Sequence, residues 1–384
     1  MRNFNLKTDI YYGLDSIQRL KDINIKKAFI VTDNVMIKLG NLAEITYILD
    51  KKSIDWCLFN DVAENPSLES VYKGLEEFIG FRSDTIIALG GGSVIDTGKA
   101  ILYYYLLTLE KLIDRDLIKK PSLIAIPTTS GTGSEVTSYS VLTDTKTERK
   151  IPIMDNRMIP DIAILDNQFT KTIPSHVIAD TGFDVLTHAI EAYVAINASD
   201  YTDTYAEKAI KYVFSYLLRA YYNEKDLEAR EKMQIASCMA GIAFTNSGLG
   251  VNHSIAHIIG ARFGIPHGRI NGILLPYVVE FNSELDRVSN SKTSKKYRHI
   301  SKSLGFPHST PRKGVVSLIE GIKILKDKLN IPATLKEANI DSVIFYKSLE
   351  EMSNIAMEDL CTKSNPIKIK NEQIINILKK AYTG

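Results

Sequence analysis

Five short runs in the first half of the chain are almost wholly apolar: KKAFIVTD (26–33), SIDWCLFN (53–60), DTIIALGGG (84–92), SLIAIPTT (122–129) and DIAILD (161–166). Runs of this length without alternation suit strands covered on both faces, and so predict a parallel sheet. Between them, residues 67–81 and 93–107 carry apolar positions at helical spacing, with serines placed to cap the helix starts. This succession predicts a doubly wound, Rossmann-like α/β domain. Beyond about Pro174 the strand signals almost disappear, and long helical patterns follow at 175–196, 206–222 and 227–244. The second half therefore predicts an all-α helical domain. The boundary falls near residues 174–178, giving domains 1–176 and 177–384, and a cleft between the halves is the default place for a ligand.

Polar residues interrupt the apolar pattern at strand ends. Gly90, Gly91, Gly92 and Ser93 follow one strand and open a helix, where backbone N–H groups and a positive helix end can hold a pyrophosphate. The spacing is not GxGxxG, because Ile95 stands at the third glycine position, and a tight strand-to-helix turn explains these glycines equally well. A second loop, PTTSGTGSEVT from Pro127 to Thr137, ends another buried run in hydroxyls and glycines. Two such loops at strand ends point at one crevice. Asp33 closes the first run, where its carboxylate can accept from a ribose diol and repel a 2′-phosphate, favouring NAD over NADP. Capping a helix start is the alternative use of the same side chain.

In the helical half, Asp184 and His188 stand four apart in TGFDVLTHAIEAY, so a helix turns both toward a single ion. His253, His257 and His267 fall within fifteen residues, three of the chain's seven histidines. One carboxylate with imidazoles suits Fe(II), Zn(II), Mn(II) or Co(II). The same pattern also fits a metallohydrolase, in which a metal-activated water attacks an ester or amide, so the nucleotide loops arbitrate. His176, His299 and His308 are read as satisfied structural residues.

Composition narrows the field. Lys and Arg total 47 against 45 Asp and Glu, a net charge of +2, too small for a protein that binds by neutralising phosphates, so nucleic acid is not an expected partner. Cys57, Cys238 and Cys361 are far apart and lack CxxC spacing, which argues against disulfides and thiolate zinc sites. No signal-peptide pattern and no apolar run of about 20 residues is present, so the expectation is a cytoplasmic protein without a membrane partner.

Taken together, GGGSVIDTGK (90–99), PTTSGTGSEV (127–136), GFDVLTHAIE (182–191) and HSIAHIIGARFGIPHG (253–268), with NSGLG (246–250) and DLCTKSNP (359–366), resemble the iron-containing (group III) alcohol dehydrogenase family along essentially the whole chain. The resemblance implies the dehydroquinate synthase-like superfold, with an NAD-binding domain and a helical domain holding a metal through Asp184, His188, His253 and His267. Iron is the implied occupant, with zinc as the alternative. It places His257 beside the metal as the catalytic residue that hands over a proton. On the cofactor side it implies Asp33 at the adenosine ribose, and Gly91, Gly92, Ser93 and Asp96 at the pyrophosphate. Thr128, Thr132, Thr137 and Lys150 fall around the adenine and nicotinamide ends. Tyr139, Phe244, Leu249 and Cys361 fall at substrate-pocket positions.

The implied activity interconverts short-chain primary alcohols or diols and aldehydes, with the carbonyl oxygen on the metal and hydride from NADH. The opening segment and residues 197–217 look most like the 1-propanol dehydrogenases of propanediol utilisation, some of which work inside bacterial microcompartments. A homodimer or larger homo-oligomer is expected by the same resemblance. A metal-dependent hydrolase, or a polyol, glycerol-type or hydroxy-acid dehydrogenase of the same superfamily, is the alternative.

Overall fold

The structure, a computed structural model, describes residues 3–63, 66–144, 149–285 and 290–384. The chain divides into two compact units, Asn5–Thr172 and Ile173–Gly384, and Phe4 belongs with the second, stacked on Tyr201 and Tyr205.

The first unit contains β1 (Asp9–Tyr12), β2 (Lys27–Val31), β3 (Asp55–Phe59), β4 (Thr85–Gly90), β5 (Ser122–Pro127), β6 (Tyr139–Asp144), β7 (Arg149–Met154) and β8 (Ile162–Leu165). Six of these form one sheet in the order β1-β8-β5-β4-β2-β3, every pairing parallel. The helices are α1 (Asn34–Lys38), α2 (Asn41–Lys51), α3 (Leu68–Phe81) and α4 (Gly92–Glu110). Alternation along each strand separates two cores. Ile30, Ile87, Leu89, Ile124 and Ile126 pack with Ile45 and Leu49 of α2, whereas Phe29, Val31, Ile86, Ala88 and Leu123 pack with Phe78 of α3 and Ile101 of α4. With both faces covered, the strands have no solvated side, which is why their sequences read as unbroken apolar runs.

The parallel sheet that the five runs predict is present. Two further features are not visible as apolar runs. β1 is an edge strand of four residues, two of them exposed, held by β8. β6 and β7 form a separate antiparallel hairpin whose strands mix polar residues and Pro152 with apolar ones. Both lie where only part of the strand is covered, so burial does not impress a pattern on them.

The described part of the second unit is helical: α5 (Ser175–Val194), α6 (Asp200–Tyr222), α7 (Leu227–Ser247), α8 (Val251–Phe263), α9 (His267–Ser283), α10 (Lys292–Ser303), α11 (Pro311–Lys328), α12 (Ser342–Lys347), α13 (Leu349–Glu358) and α14 (Asn371–Thr383), with a 3₁₀ turn at Cys361–Ser364. α5 is at its centre, buried almost continuously from Ile178 to Val194. Missing side chains set how closely its neighbours approach. A Cβ on Gly182 would collide with Leu217 of α6, one on Gly268 with the Asp180 carbonyl oxygen, and one on Gly272 would lie 3.0 Å from the Phe183 ring. Gly268 and Gly272 stand one turn apart on α9, and together they lay that helix against α5.

Candidate functional site

Three helices of Ile173–Gly384 supply the metal donors that the sequence singles out. α5 presents Asp184 and His188 one turn apart, 5% and 6% exposed. α8 brings in His253, 1% exposed, and α9 begins at His267. Donor atoms of Asp184, His188 and His253 lie within 4.8 Å of one another. Around Asp184 Oδ1 the Nε2 atoms of His267, His253 and His188 stand at 3.6, 3.7 and 3.9 Å.

Asn271, one turn into α9, donates through Nδ2 to Asp184 Oδ1 at 2.8 Å, and the same nitrogen lies 3.1 Å from His267 Nε2 and 3.3 Å from His253 Nε2. An amide nitrogen has only two protons for these three acceptors. Lone pairs from a carboxylate and two imidazoles therefore aim at one small region, with a third imidazole beside them. This donor set fits a borderline divalent cation such as iron or zinc.

Glu191 supports the donors from behind. Its Oε2 meets His253 Nδ1 at 2.5 Å, which turns the Nε2 lone pair of that ring toward Asp184. Its Oε1 accepts from the Asn252 N–H at 2.7 Å, at the positive start of α8. Gly250 makes room, since a Cβ there would lie 2.6 Å from Glu191 Oε1. Burial alone would lower the pKa of His253, yet the Glu191 and Asp184 carboxylates push it up to about 9, so a bound cation takes the Nε2 lone pair by displacing a proton. Burial would raise Asp184, and the three surrounding imidazoles instead hold it well below the usual carboxylate range. Burial and the neighbouring rings keep His267 below the ordinary imidazole range, although its side chain is 37% exposed. Negative charge thus outweighs positive at the centre, and a divalent cation would restore the balance.

His257 stands apart from this set. Its ring stacks on that of His267, centroids 5.1 Å apart, and its Nδ1 lies 3.0 Å from Asp359 Oδ2. Cys361 is two residues from that carboxylate and donates its N–H to Asp359 Oδ1. Phe244 stacks on His188 at 4.6 Å, and Leu249 is half-buried in the turn between α7 and α8. His299 and His308 have their own partners, Glu207 and the Phe306 carbonyl, away from the centre.

Within Asn5–Thr172, the two glycine-rich loops follow the neighbouring strands β4 and β5 and touch. A Cβ on Gly92 would lie 2.6 Å from Thr132 Cγ2, and one on Gly91 would lie 3.5 Å from the Thr129 side chain. Gly91 caps the start of α4 with no side-chain bond, so the positive end of this 19-residue helix is covered by bare glycine backbone, a setting that suits an anion. β2 lies beside β4 where the strand order reverses, and Thr32 Oγ1 bonds the Leu89 carbonyl across them. These features fit a pyrophosphate-containing cofactor.

Asp33 does what a capping residue does: its Oδ1 accepts from the Val35 and Met36 N–H groups at 2.8 and 2.9 Å. Asp96 commits both oxygens inside the unit, Oδ1 to Ser134 Oγ and Oδ2 to the Val141 N–H. It braces the second loop. Buried Lys99 ties the same loop through Ser134 Oγ, Thr137 Oγ1 and the Tyr139 carbonyl. Thr128 is buried, its N–H bonded to the Gly90 carbonyl, while Ser93, Thr132, Tyr139 and Lys150 are half-buried.

Glu191, Asn271 and Asp359 were not among the residues assigned roles from sequence. For Glu191 a signal existed, because a carboxylate on an apolar helix face needs a buried partner. Asn271 carries only its spacing of four from His267, and Asp359 is 102 residues from His257, beyond any local pattern.

A parallel sheet ending in glycine loops suits a nucleotide, and a helical unit that gathers an aspartate and histidines suits a divalent cation. Residues 7–167 match the family model of iron-containing alcohol dehydrogenase, and residues 178–382 that of the Fe-containing alcohol dehydrogenase family, C-terminal. The chain belongs to the iron-containing alcohol dehydrogenase family. It is 42% identical over 393 residues to the NADPH-dependent butanol dehydrogenase of Clostridium saccharobutylicum, covering 100% of this chain and 99% of that one. It is 35% identical over 385 residues to a 1-propanol dehydrogenase of Salmonella typhimurium, covering 99% and 100%. The solved iron-containing alcohol dehydrogenase of Thermococcus thioreducens is similar at a TM-score of 0.88, with 34% identity and full coverage of both chains. No helix among the described residues is long and apolar enough to cross a membrane.

Proposed function

We propose that this enzyme interconverts short-chain aldehydes and primary alcohols with NADH as the hydride donor. Convergence of carboxylate and imidazole lone pairs on one region, marked by Asn271 Nδ2 against three of the four donors, carries the reading. When bound, iron supplies Lewis-acid stabilisation of the carbonyl oxygen, a contribution of several kcal/mol, and NADH supplies the hydride.

The chain's own residues do the rest. Asp184, His188, His253 and His267 hold the cation, and Glu191 keeps His253 in the tautomer whose Nε2 faces it. His257 passes a proton to the oxygen as the carbonyl becomes a hydroxyl, with Asp359 fixing the ring through Nδ1. Phe244 covers His188 and keeps water from that side of the donors. Gly91, Gly92 and the start of α4 receive the cofactor's pyrophosphate, and Asp33 favours a free 2′-hydroxyl over a 2′-phosphate. The likeness to 1-propanol dehydrogenase supports a three-carbon substrate and extends the reading to work inside a microcompartment.

NADPH is the second reading, since the butanol dehydrogenase relative uses it and Asp33 is already engaged as a helix cap. The test is an anaerobic assay of iron-loaded and metal-free protein against two- to four-carbon aldehydes with either cofactor. Iron-dependent oxidation of NADH is expected, with propanal among the best substrates. Aldehyde-independent loss of NADH, or ester hydrolysis without it, would refute the reading. His257→Ala should lower turnover by about 10² to 10⁴ with bound iron unchanged, the usual scale for losing a positioned proton donor. Loss of iron in that variant would make His257 a ligand.

A further inference from the structure

A second group of cation-binding atoms lies beside the first and is not needed to hold iron. His257, Asp359 and Cys361 each present one donor, an imidazole nitrogen, a carboxylate oxygen and a thiol sulfur, all within 4.8 Å of one another and all half-buried. The group is built by two elements. α8 carries His257, and the turn after α13 carries Asp359 and Cys361. The Cys361 N–H closes that turn on Asp359 Oδ1 at 2.8 Å, bringing both side chains to the same side. Ser254, one turn before His257 on α8, donates to the same oxygen at 3.1 Å and receives a bond from Thr362 at 2.8 Å, so helix and turn are locked together. Asp359 Oδ2 is left facing His257 Nδ1 at 3.0 Å.

We propose that His257, Asp359 and Cys361 form a second cation site, selective for thiophilic divalent ions such as zinc or cadmium. Three protein donors of mixed nitrogen, oxygen and sulfur type, with a fourth position open, are an accepted zinc arrangement. Softness separates the two sites. The Asp184 centre offers only nitrogen and oxygen, whereas this one adds a sulfur that favours zinc over iron. On binding, the Cys361 S–H bond breaks, the sulfur bonds the cation, and the proton leaves to water. The proton that Nδ1 shares with Asp359 also leaves to water, freeing Nδ1 as a ligand while Nε2 keeps its own. Carboxylate and thiolate then neutralise the incoming double charge, which lets it sit next to a first cation even though the His257 ring lies on that of His267.

A ring coordinated at Nδ1 no longer exchanges a proton with Asp359, so zinc binding here silences the enzyme without removing its iron. That inhibition rests on the proton role proposed for His257, whereas occupancy of the site does not. Iron-loaded protein is titrated anaerobically with zinc chloride, desalted and analysed for both metals. One retained iron and one added zinc per chain are expected, with activity falling in step with the zinc. Cadmium in place of zinc should give the ultraviolet thiolate-to-metal band, in protein whose other half-buried thiol is removed by Cys57→Ala. Cys361→Ser and Asp359→Asn should keep their iron, fail to take the second ion and show no band. Zinc displacing iron one for one, or no cadmium band in the Cys57→Ala protein, overturns the site. The band decides the matter even where a variant at 359 or 361 does not fold. A second zinc bound with full activity leaves the site standing and removes the proton role of His257.

Discussion

In Asn5–Thr172 the features suited to a ligand are mostly backbone: the positive start of α4 and bare glycines at the ends of β4 and β5. In Ile173–Gly384 they are side chains from three helices, and two of them, Asp184 and His253, are held by residues distant in sequence. The two constructions fail differently. A backbone cradle needs the strands to end where they do and buried Asp96 and Lys99 to hold the second loop, so changes to exposed side chains around it are tolerated. A centre made of side chains depends on every rotamer and helix contact that aims it, and an error of about 1 Å is enough to spoil it.

Substitutions can break this contrast or sharpen it. The largest effect is expected from Asp184→Ala, which removes the atom around which the three imidazoles gather. Iron content should fall to background and turnover by about 10³ or more, the loss of several kcal/mol of Lewis-acid stabilisation. Metal analysis with steady-state rates checks this, and retained iron would show that the histidines suffice. Gly268→Ala comes next, because its methyl group would strike the Asp180 carbonyl and push α9 from α5. A destabilisation of about 1 to 3 kcal/mol is expected, with weaker metal retention although no ligand is altered. Denaturant unfolding of the metal-free protein and a chelator competition read the two parts separately.

Glu191→Gln should be milder: it keeps the shape but loses the charge behind His253, lowering metal affinity by about 10- to 100-fold. An unchanged affinity would mean that His253 is aimed by packing alone. The smallest effect belongs to the other unit. Asp33→Gly should reduce stability by only a few tenths of a kcal/mol, because glycine is itself a tolerable cap, while raising the use of NADPH relative to NADH. An unchanged cofactor ratio would leave Asp33 as a cap and nothing more.

The same contrast explains what could be read from the sequence. The cradle was legible because each part sits directly after an apolar run: Gly91 after β4 and Thr128 after β5. Asp184, His188 and the HxxxH pair were legible because helical spacing puts residues four apart on one face. What could not be read is which faces meet. Periodicity says that α5 is buried on nearly all sides, but not that Gly268 lets α9 come close enough for His267 to reach Asp184. Asp359 follows the last turn of α13, a helix end that does not favour a carboxylate, and only the fold shows that His257 stands against it. Asp96 has a duty that its motif does not announce: its oxygens accept from Ser134 and Val141 and tie the second loop to α4.

The order in which the donors occur along the chain bears on biosynthesis. Asn271 is 87 residues downstream of Asp184, and Asp359 is a further long stretch away. When a polypeptide emerges from the ribosome and its leading portion folds first, the strands and their glycine turns are all available while the ion's residence is still incomplete. The donor set is complete only when His267 of α9 has been made, so a chain ending after α8 would carry Asp184, His188 and His253 without the fourth donor and without the Asn271 amide that meets Asp184.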